Sequence, residues 1–372
     1  MAIQPIFLFS VSRSGSTLVQ RVIAAHDGVA TAAEPWLLLP HAYSLRSEGV
    51  RGEYHHPLLA TAISDFCKEL PDGIEDYRRE SREFALRLYA KAAGDGARWF
   101  LDKSPSYYLV AEEVMRLFPE GKFVFLWRNP LSVMASIIET FNGGRWAPSV
   151  CRGDLSIGLP RLLSAFQASG GRAHSVRFED LIDGGERPWR ELMAYLGIEF
   201  DRRALHSFAE VELRGRMGDP TGVHEYSKLT SEPAGKWRRV LANPLRRAWS
   251  RRYLEFLGRE RLALMGYDED ELRAELAATP RSMRSLAPDL GRLVVDVAKE
   301  PVRARIRRDG VGGPNVIGDL MRAESRSTHR RTDAAGPLGG RSSSRKAIAE
   351  APVERRLPHS AMPHAGGRIQ KN

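Results

Sequence analysis

Residues 5–25, PIFLFSVSRSGSTLVQRVIAA, contain the pattern that decides the fold of this chain. Residues 5–11 form a short, continuous apolar run, which is typical of a strand buried on both faces of a parallel sheet. A loop rich in serine and glycine comes next, and residues 17–25 then have the composition of a helix. A strand that leads through a tight loop into a helix predicts an α/β protein.

Three more strands are predicted downstream, and helical stretches separate them. The strands cover residues 98–101, 122–127 and 173–178, and the helices cover residues 107–118, residues 130–139 and a stretch that ends at residue 196. Repeated strand–helix units place helices on both faces of a parallel sheet. The sequence therefore predicts a P-loop-like, three-layer α/β/α fold with a central parallel sheet.

The chain divides into regions of different composition. Residues 1–265 form the predicted main domain, and residues 36–94 within it lack a strong strand pattern and predict a helical insertion. Residues 266–321 predict a helical C-terminal extension. Residues 322–372 are rich in Gly, Pro, Ser and Arg and have almost no apolar periodicity, so we expect a basic, disordered tail.

Composition excludes several classes of protein. With 42% hydrophobic and 27% charged residues, the chain is typical of soluble globular proteins. No apolar run approaches the ~18–20 residues of a membrane span, and the first residues lack the pattern of a signal peptide. The two cysteines have no CxxC or histidine partner motif, which predicts a cytoplasmic protein without structural zinc. The net charge is +10, and residues 325–372 carry +7 of it.

The loop after the first strand predicts an anion site. Its residues are Ser12, Arg13, Ser14, Gly15, Ser16 and Thr17. Backbone N–H groups at a helix N-terminus favour anions, Gly15 permits close approach, and Arg13 offers a bidentate fork. The Walker A pattern GxxxxGK[ST] is absent, so this is a different phosphate cradle. The alternative is an ordinary helix cap with an incidental arginine.

A second anion-binding element is predicted at the end of the strand 122–127. Arg128 comes directly after that strand at the carboxyl edge of the sheet, where α/β proteins bind ligands. Ser136 lies eight residues later, about two helical turns along, and its hydroxyl could meet the same anion. The alternative is an arginine that caps a neighbouring carbonyl group.

Together these stretches resemble the sulfotransferases that use 3′-phosphoadenylyl sulfate (PAPS), in particular the bacterial carbohydrate and tyrosylprotein types. The resemblance implies that Ser12 to Thr17 bind the 5′-phosphosulfate and that Arg128 and Ser136 bind the 3′-phosphate. The sequences LDKSP at 101–105 and VRFEDL at 176–181 resemble two further family elements, and the first places Lys103 at the sulfuryl group. The sequence GKWR at 235–238 resembles a late basic loop over the 3′-phosphate, formed by Lys236, Trp237 and Arg238. The resemblance covers residues 5–265.

The chain departs from the cytosolic members of that family. Arg13 replaces their lysine, Ser104 and Pro105 follow Lys103 where they have histidine, and Phe178 replaces a common tyrosine. The resemblance implies that Glu34, shortly after the first helix, is the catalytic base. The competing candidates for the base are His26, His55, His56 and His174.

The resemblance implies a PAPS-dependent sulfotransferase of the EC 2.8.2 type. Arg13 would hold the 5′-phosphate, Lys103 the sulfuryl oxygens, and Glu34 would take a proton from the acceptor hydroxyl. No metal ion is expected, because sulfuryl carries less charge than phosphoryl. The acceptor is a carbohydrate or small molecule, and its pocket could use aromatic side chains: Trp36, Tyr43, Tyr107, Tyr108, Phe141 and Trp146.

Two other classes of function stay open at this point. A P-loop nucleotide kinase or related phosphotransferase would need a Walker A lysine and a metal-holding aspartate, and the sequence has neither pattern. A non-enzymatic protein that binds anions or nucleic acid would use the tail and the arginines Arg246, Arg247, Arg251 and Arg252. Binding of nucleic acid is the less favoured interpretation, since a solvated tail accounts for the charge.

Overall fold

The structure, a computed structural model, describes residues 3–50, 52–215, 217 and 232–294. The predicted tail, residues 322–372, and residues 295–321 of the predicted extension lie outside the described residues. All of the described residues belong to one unit of the chain, residues 1–313.

Five strands form the central sheet, and every pairing in it is parallel. They are β1 (Gln4–Phe9), β2 (Val29–Thr31), β3 (Trp99–Asp102), β4 (Lys122–Trp127) and β5 (Ala173–Arg177). Their order is β2-β3-β1-β4-β5, so that β1 lies at the centre. The predicted parallel sheet is confirmed, and four of its strands lie where the sequence predicts them. The fifth, β2, has three residues and no apolar run that could have indicated it.

Helices connect the strands. They are α1 (Ser16–Ala24), α2 (Leu38–Ser44), α3 (His56–Lys68), α4 (Ile74–Ala93), α5 (Ala111–Leu117), α6 (Pro130–Asn142), α7 (Pro148–Cys151), α8 (Leu159–Ala168), α9 (Phe178–Asp183), α10 (Arg187–Leu196), α11 (Ala204–Ser207), α12 (Glu232–Val240), α13 (Pro244–Leu264) and α14 (Glu269–Ala278). A π-helical segment, Arg152–Gly158, joins α7 to α8. The described part of residues 36–94 contains the helices α2, α3 and α4.

Alternating side chains of the strands enter two separate cores, one on each face of the sheet. Phe7 and Phe9 of β1 belong to the core covered by α4, α5, α6 and α8. Ile6 and Leu8 belong to the core covered by α1 and α10. Since each face packs against helices, the three-layer α/β/α arrangement is confirmed.

The parallel register brings the carboxyl ends of the strands to one edge. Phe7 pairs with Asp102, Phe9 with Phe125, and Trp127 with Arg177. The residues directly after the strands therefore meet at this edge.

Two arginines of α13 are structural. The Arg246 side chain is 6% exposed and its Nε donates to Asp289 Oδ2 at 2.8 Å. Arg247 is also buried and donates to the carbonyl groups of Thr279 and Ala277. Arg251 and Arg252 are exposed. Arg246 and Arg247 therefore cannot serve a nucleic-acid surface, because their guanidinium groups stabilise the interior.

Candidate functional site

The loop between β1 and α1 has an unusual backbone. Arg13 and Gly15 both have positive φ, 65° and 85°. A Cβ on Gly15 would overlap the ring of Phe178, which lies directly after β5. Only glycine therefore fits at this position, which is the N-cap of α1.

Arg128 and Ser136 come together at this loop. Arg128 is 5% exposed, and its Nη1 donates to the carbonyl oxygen of Arg13 at 2.8 Å. Its guanidinium lies 4.9 Å from the centre of the Phe178 ring. Arg13 Nε in turn donates to Ser136 Oγ at 3.1 Å. Three of the predicted anion-binding residues thus form one continuous set of contacts.

Lys103 and Glu34 form an ion pair beside the start of α1. Lys103 Nζ lies 2.8 Å from Glu34 Oε1 and 3.5 Å from Thr17 Oγ1. The two side chains are 2% and 11% exposed, so water screens the pair weakly. Trp36 Nε1 donates to Glu34 Oε2 at 3.3 Å, and 38% of Trp36 remains exposed.

Asp102, the residue directly before Lys103, is buried and held by three hydrogen bonds. Asp102, fully buried, accepts hydrogen bonds from Tyr89 at 2.6 Å, Tyr107 at 2.9 Å and Ser104 at 3.1 Å. Burial raises the pKa of Asp102 to about 6, although the three hydroxyl groups and Lys103 act in the opposite direction. The residue next to Lys103 is thereby held in one position. Sequence reasoning assigned no role to Asp102.

Asp154 is a second residue that sequence reasoning missed. Its Oδ1 accepts the backbone N–H of Ser12 at 2.8 Å, across 142 residues of chain. The residue lies in the π-helical segment Arg152–Gly158, and such segments are frequent at functional sites. No local sequence pattern indicates this contact, because it depends on where the tertiary structure places the segment between α7 and α8.

The late basic residues make contacts elsewhere. Lys236 is exposed, Trp237 is 1% exposed in the core, and Arg238 pairs with Glu275 at 3.0 Å. Their contact with a 3′-phosphate stays a prediction.

Two of the competing histidines and three of the aromatic candidates have identifiable surroundings in the structure. His56 bonds to the carbonyl groups of Tyr43 and Arg46, and His174 stacks on Tyr195. Among the aromatic candidates, Tyr107 and Trp146 are each 1% exposed within the core. Trp36 is the aromatic candidate that contacts Glu34.

Neither a metal cluster nor a membrane-spanning helix is found among the described residues. Across residues 3–50, 52–215, 217 and 232–294, no three His, Cys, Asp or Glu side chains are grouped to hold a metal ion. No helix in this part of the chain combines the length and apolar character needed to cross a membrane.

Fold and site together define an α/β protein in which Arg13, Lys103 and Arg128 lie near the loop after its central strand. Residues 5–202 match the family described as the Sulfotransferase family, and the match covers more than half of the chain. The chain therefore belongs to the sulfotransferase family.

The chain is similar in sequence to two curated proteins. The chain is 32% identical over 228 residues to Nodulation protein NoeE of Sinorhizobium fredii, a match that covers 55% of this chain and 52% of that protein. It is 30% identical over 220 residues to a Drosophila melanogaster protein-tyrosine sulfotransferase, covering 54% of this chain and 39% of the relative. The chain thus spans about half the length of these relatives or less.

Solved structures also align with the chain. A sulfotransferase domain from the curacin biosynthetic pathway aligns at 23% identity and a TM-score of 0.46, covering 64% of this chain and 91% of that domain. A sulfotransferase from Alicyclobacillus acidocaldarius aligns at 15% identity and a TM-score of 0.41, covering 73% of this chain and 100% of that structure.

Titration of Asp102 generates a prediction about stability. Because the folded-state pKa of Asp102 is raised, its stabilising contribution is complete below pH ~4 and is lost as pH rises through about 6. Relative to Asp102→Asn, the free energy of unfolding of the wild type should fall by on the order of 3 kcal/mol between pH 4 and 7. Urea unfolding at several pH values measures this difference.

Asp201→Asn is the matched control. Asp201 lies at the surface beside Arg203, which lowers the pKa of its carboxyl group, so its difference from wild type should stay constant above pH ~5. A wild type that gains stability relative to Asp102→Asn as pH rises would contradict the direction of the Asp102 shift.

Proposed function

We propose that this chain transfers the sulfuryl group of PAPS to a hydroxyl group of an acceptor. The observation that carries the proposal is the convergence of Arg13, Lys103 and Arg128 at one sheet edge, with Glu34 paired to the lysine. Family membership supports the reaction type. Beyond the reaction type, we propose that the sulfuryl donor is PAPS and that the acceptor is a carbohydrate or small molecule.

The residues at the loop fit the phosphosulfate end of PAPS. Gly15 has no Cβ, which allows the Phe178 ring to pack against the loop, and Ser14 Oγ is buried without a hydrogen-bond partner in the described part of the chain. A buried hydroxyl without a partner costs free energy, which a bound anion would recover. Ser12 to Thr17 would hold the 5′-phosphate, and Arg128 and Ser136 would hold the 3′-phosphate.

PAPS supplies an electron-poor sulfuryl group on a phosphate leaving group. Arg13 neutralises the charge that develops on the leaving oxygen, and Lys103 orients toward the sulfuryl oxygens from its fixed position. Glu34 accepts the proton of the acceptor hydroxyl through its carboxylate. The Lys103–Glu34 pair keeps the cation and the base in adjacent positions before transfer.

The neighbourhood of Glu34 supports a carbohydrate or small-molecule acceptor. The partly exposed Trp36 ring lies beside the carboxylate and offers a flat apolar surface. Amphipathic rings such as sugars pack on indole surfaces while their hydroxyl groups stay hydrogen-bonded.

Cofactor selectivity gives the first test. The desulfated cofactor PAP should stabilise the protein by about 2.7 kcal/mol at 100 times its Kd. ATP should stabilise it far less, because ATP lacks the 3′-phosphate for Arg128 and Ser136. Thermal shift titrations measure both, and equal shifts would contradict the 3′-phosphate assignment.

Substitution of the proposed base separates binding from chemistry. Glu34→Gln keeps the shape of the side chain but cannot take a proton, so turnover should fall on the order of 10²–10⁴-fold. PAP affinity should stay near that of the wild type. Lys103→Ala should also reduce turnover more than PAP binding, since PAP has no sulfuryl group, whereas Arg13→Ala should impair both.

Glu53→Gln is the control for a neutralised glutamate, because Glu53 is exposed and lies in the helical insertion. It should leave turnover and PAP affinity unchanged. Near-normal transfer by Glu34→Gln to a genuine acceptor would place the base at another residue.

Substitution of Asp154, in contrast to the variants above, is expected to increase the affinity for PAP. Asp154→Asn retains an acceptor oxygen for the Ser12 N–H and removes a negative charge from the loop. PAP should therefore bind roughly tenfold more tightly, equal to ~1.4 kcal/mol, as calorimetry at low salt can measure. The exposed Asp95→Asn should have no such effect, and weaker PAP binding by Asp154→Asn would contradict the prediction.

A further inference from the structure

A large cavity lies at the C-terminal end of α6, between that helix, α12, the start of α13 and residues 279–285. Its volume is about 830 Å³. We name it the arginine basin after its charged lining, which consists of Arg238, Arg239, Arg246, Arg281, Arg284 and Glu139.

Positive charge predominates in the arginine basin. Arg246 is neutralised by buried Asp289, and Arg238 pairs with Glu275 at 3.0 Å. Arg239 lies 3.8 Å from Glu139 but is 79% exposed, so that pair is weak. Within the described residues no carboxylate lies within 4.0 Å of Arg281 or Arg284, and both are exposed. The basin thus retains an excess of positive charge.

The base of the arginine basin is rigid. Arg246 donates to the carbonyl oxygens of Val240 and Gly144, each at 2.9 Å, as well as to Asp289. Asn243 also donates to Asp289, at 2.7 Å, and accepts the N–H of Arg246. The floor of the basin is therefore preorganised, and a ligand would have to order only the exposed arginines at its rim.

The lining indicates the class of ligand. Guanidinium forks match sulfate, phosphate and carboxylate groups in bidentate geometry. In the described part of the chain no aromatic side chain lines the basin, so a nucleobase would find no ring to stack on. The volume exceeds the need of a single ion, so several anionic groups of one ligand could enter together. These features favour a flexible ligand with several anionic groups.

We propose that the arginine basin is a second binding site, specific for a sulfated oligosaccharide. It shares no lining residue with the set Arg13, Lys103, Arg128 and Ser136, although Arg238 is also one of the residues predicted to contact the 3′-phosphate, and it goes beyond the proposed sulfuryl transfer. Glu139 and Ser136 are both on α6, less than one turn apart, so the two sites lie on the same helix. A glycan held in the basin is anchored beside the predicted cofactor site.

The test measures binding of a heparin-derived tetrasaccharide by calorimetry. Arg281→Glu/Arg284→Glu should weaken binding at least tenfold and reduce its salt dependence. The control is Arg251→Glu/Arg252→Glu, which makes the same charge change at exposed positions outside the basin. This control should change affinity less than twofold. PAP binding should persist in both double variants.

Several outcomes would overturn the proposal. Equal losses in the basin and control variants would show a response to overall charge. Tighter binding of a single-stranded DNA oligonucleotide with the same basin dependence would assign the basin to nucleic acid. Loss of PAP binding in the basin variant would make the basin part of the cofactor site.

Should the charge-reversed variant misfold, Arg281→Gln/Arg284→Gln supplies the same comparison. A wild type that binds the tetrasaccharide but not PAP would refute the sulfotransferase proposal and leave the basin intact.

Discussion

The parallel pairing of β1 between β3 and β4 is the constraint on which the site depends. Ile6 pairs with Leu101 and Leu8 with Val124, so the three strands end at the same edge of the sheet. A slip by one residue would move every side chain of β1 into the opposite core, where close packing fits different side chains. The segments at the carboxyl ends of these strands must therefore meet, and they carry the loop of residues 12–17, Lys103 and Arg128.

The basic side chains differ in burial between the sheet edge, which carries Lys103 and Arg128, and the arginine basin. At the sheet edge, Lys103 and Arg128 are buried and contact Glu34 and the Arg13 carbonyl group. Buried cations are costly unless they are paired, so these contacts hold them in one geometry. Such a geometry suits transition-state stabilisation, because no reorganisation is needed when charge develops. In the arginine basin, the buried Arg246 stabilises the floor, and the outer arginines Arg281 and Arg284 are exposed to solvent.

Several features could be predicted because their signals are contiguous in sequence. The strand β1, its loop and the Pro130 start of α6 each depend on neighbouring residues. The predicted helix 107–118 is divided in the structure into a 3₁₀ turn, Pro105–Leu109, and α5. Burial of Arg246 and Arg247 was not predictable, since Asp289, which pairs with Arg246, and Ala277, which accepts from Arg247, lie 30 or more residues away. The contact between Asp154 and Ser12 has the same origin.

The sequence by itself determined the α/β class, the parallel sheet and the tight loop between β1 and α1. These depend on local periodicity and on residues adjacent along the chain, such as Gly15 at the start of α1. Tertiary structure alone decided that Glu34 meets Lys103, that Asp102 is held by Tyr89, and that the arginine basin forms. Each of these joins side chains from separate segments. Local sequence patterns carry no information about these contacts, because the packing of the helices on the sheet sets the distances between the side chains.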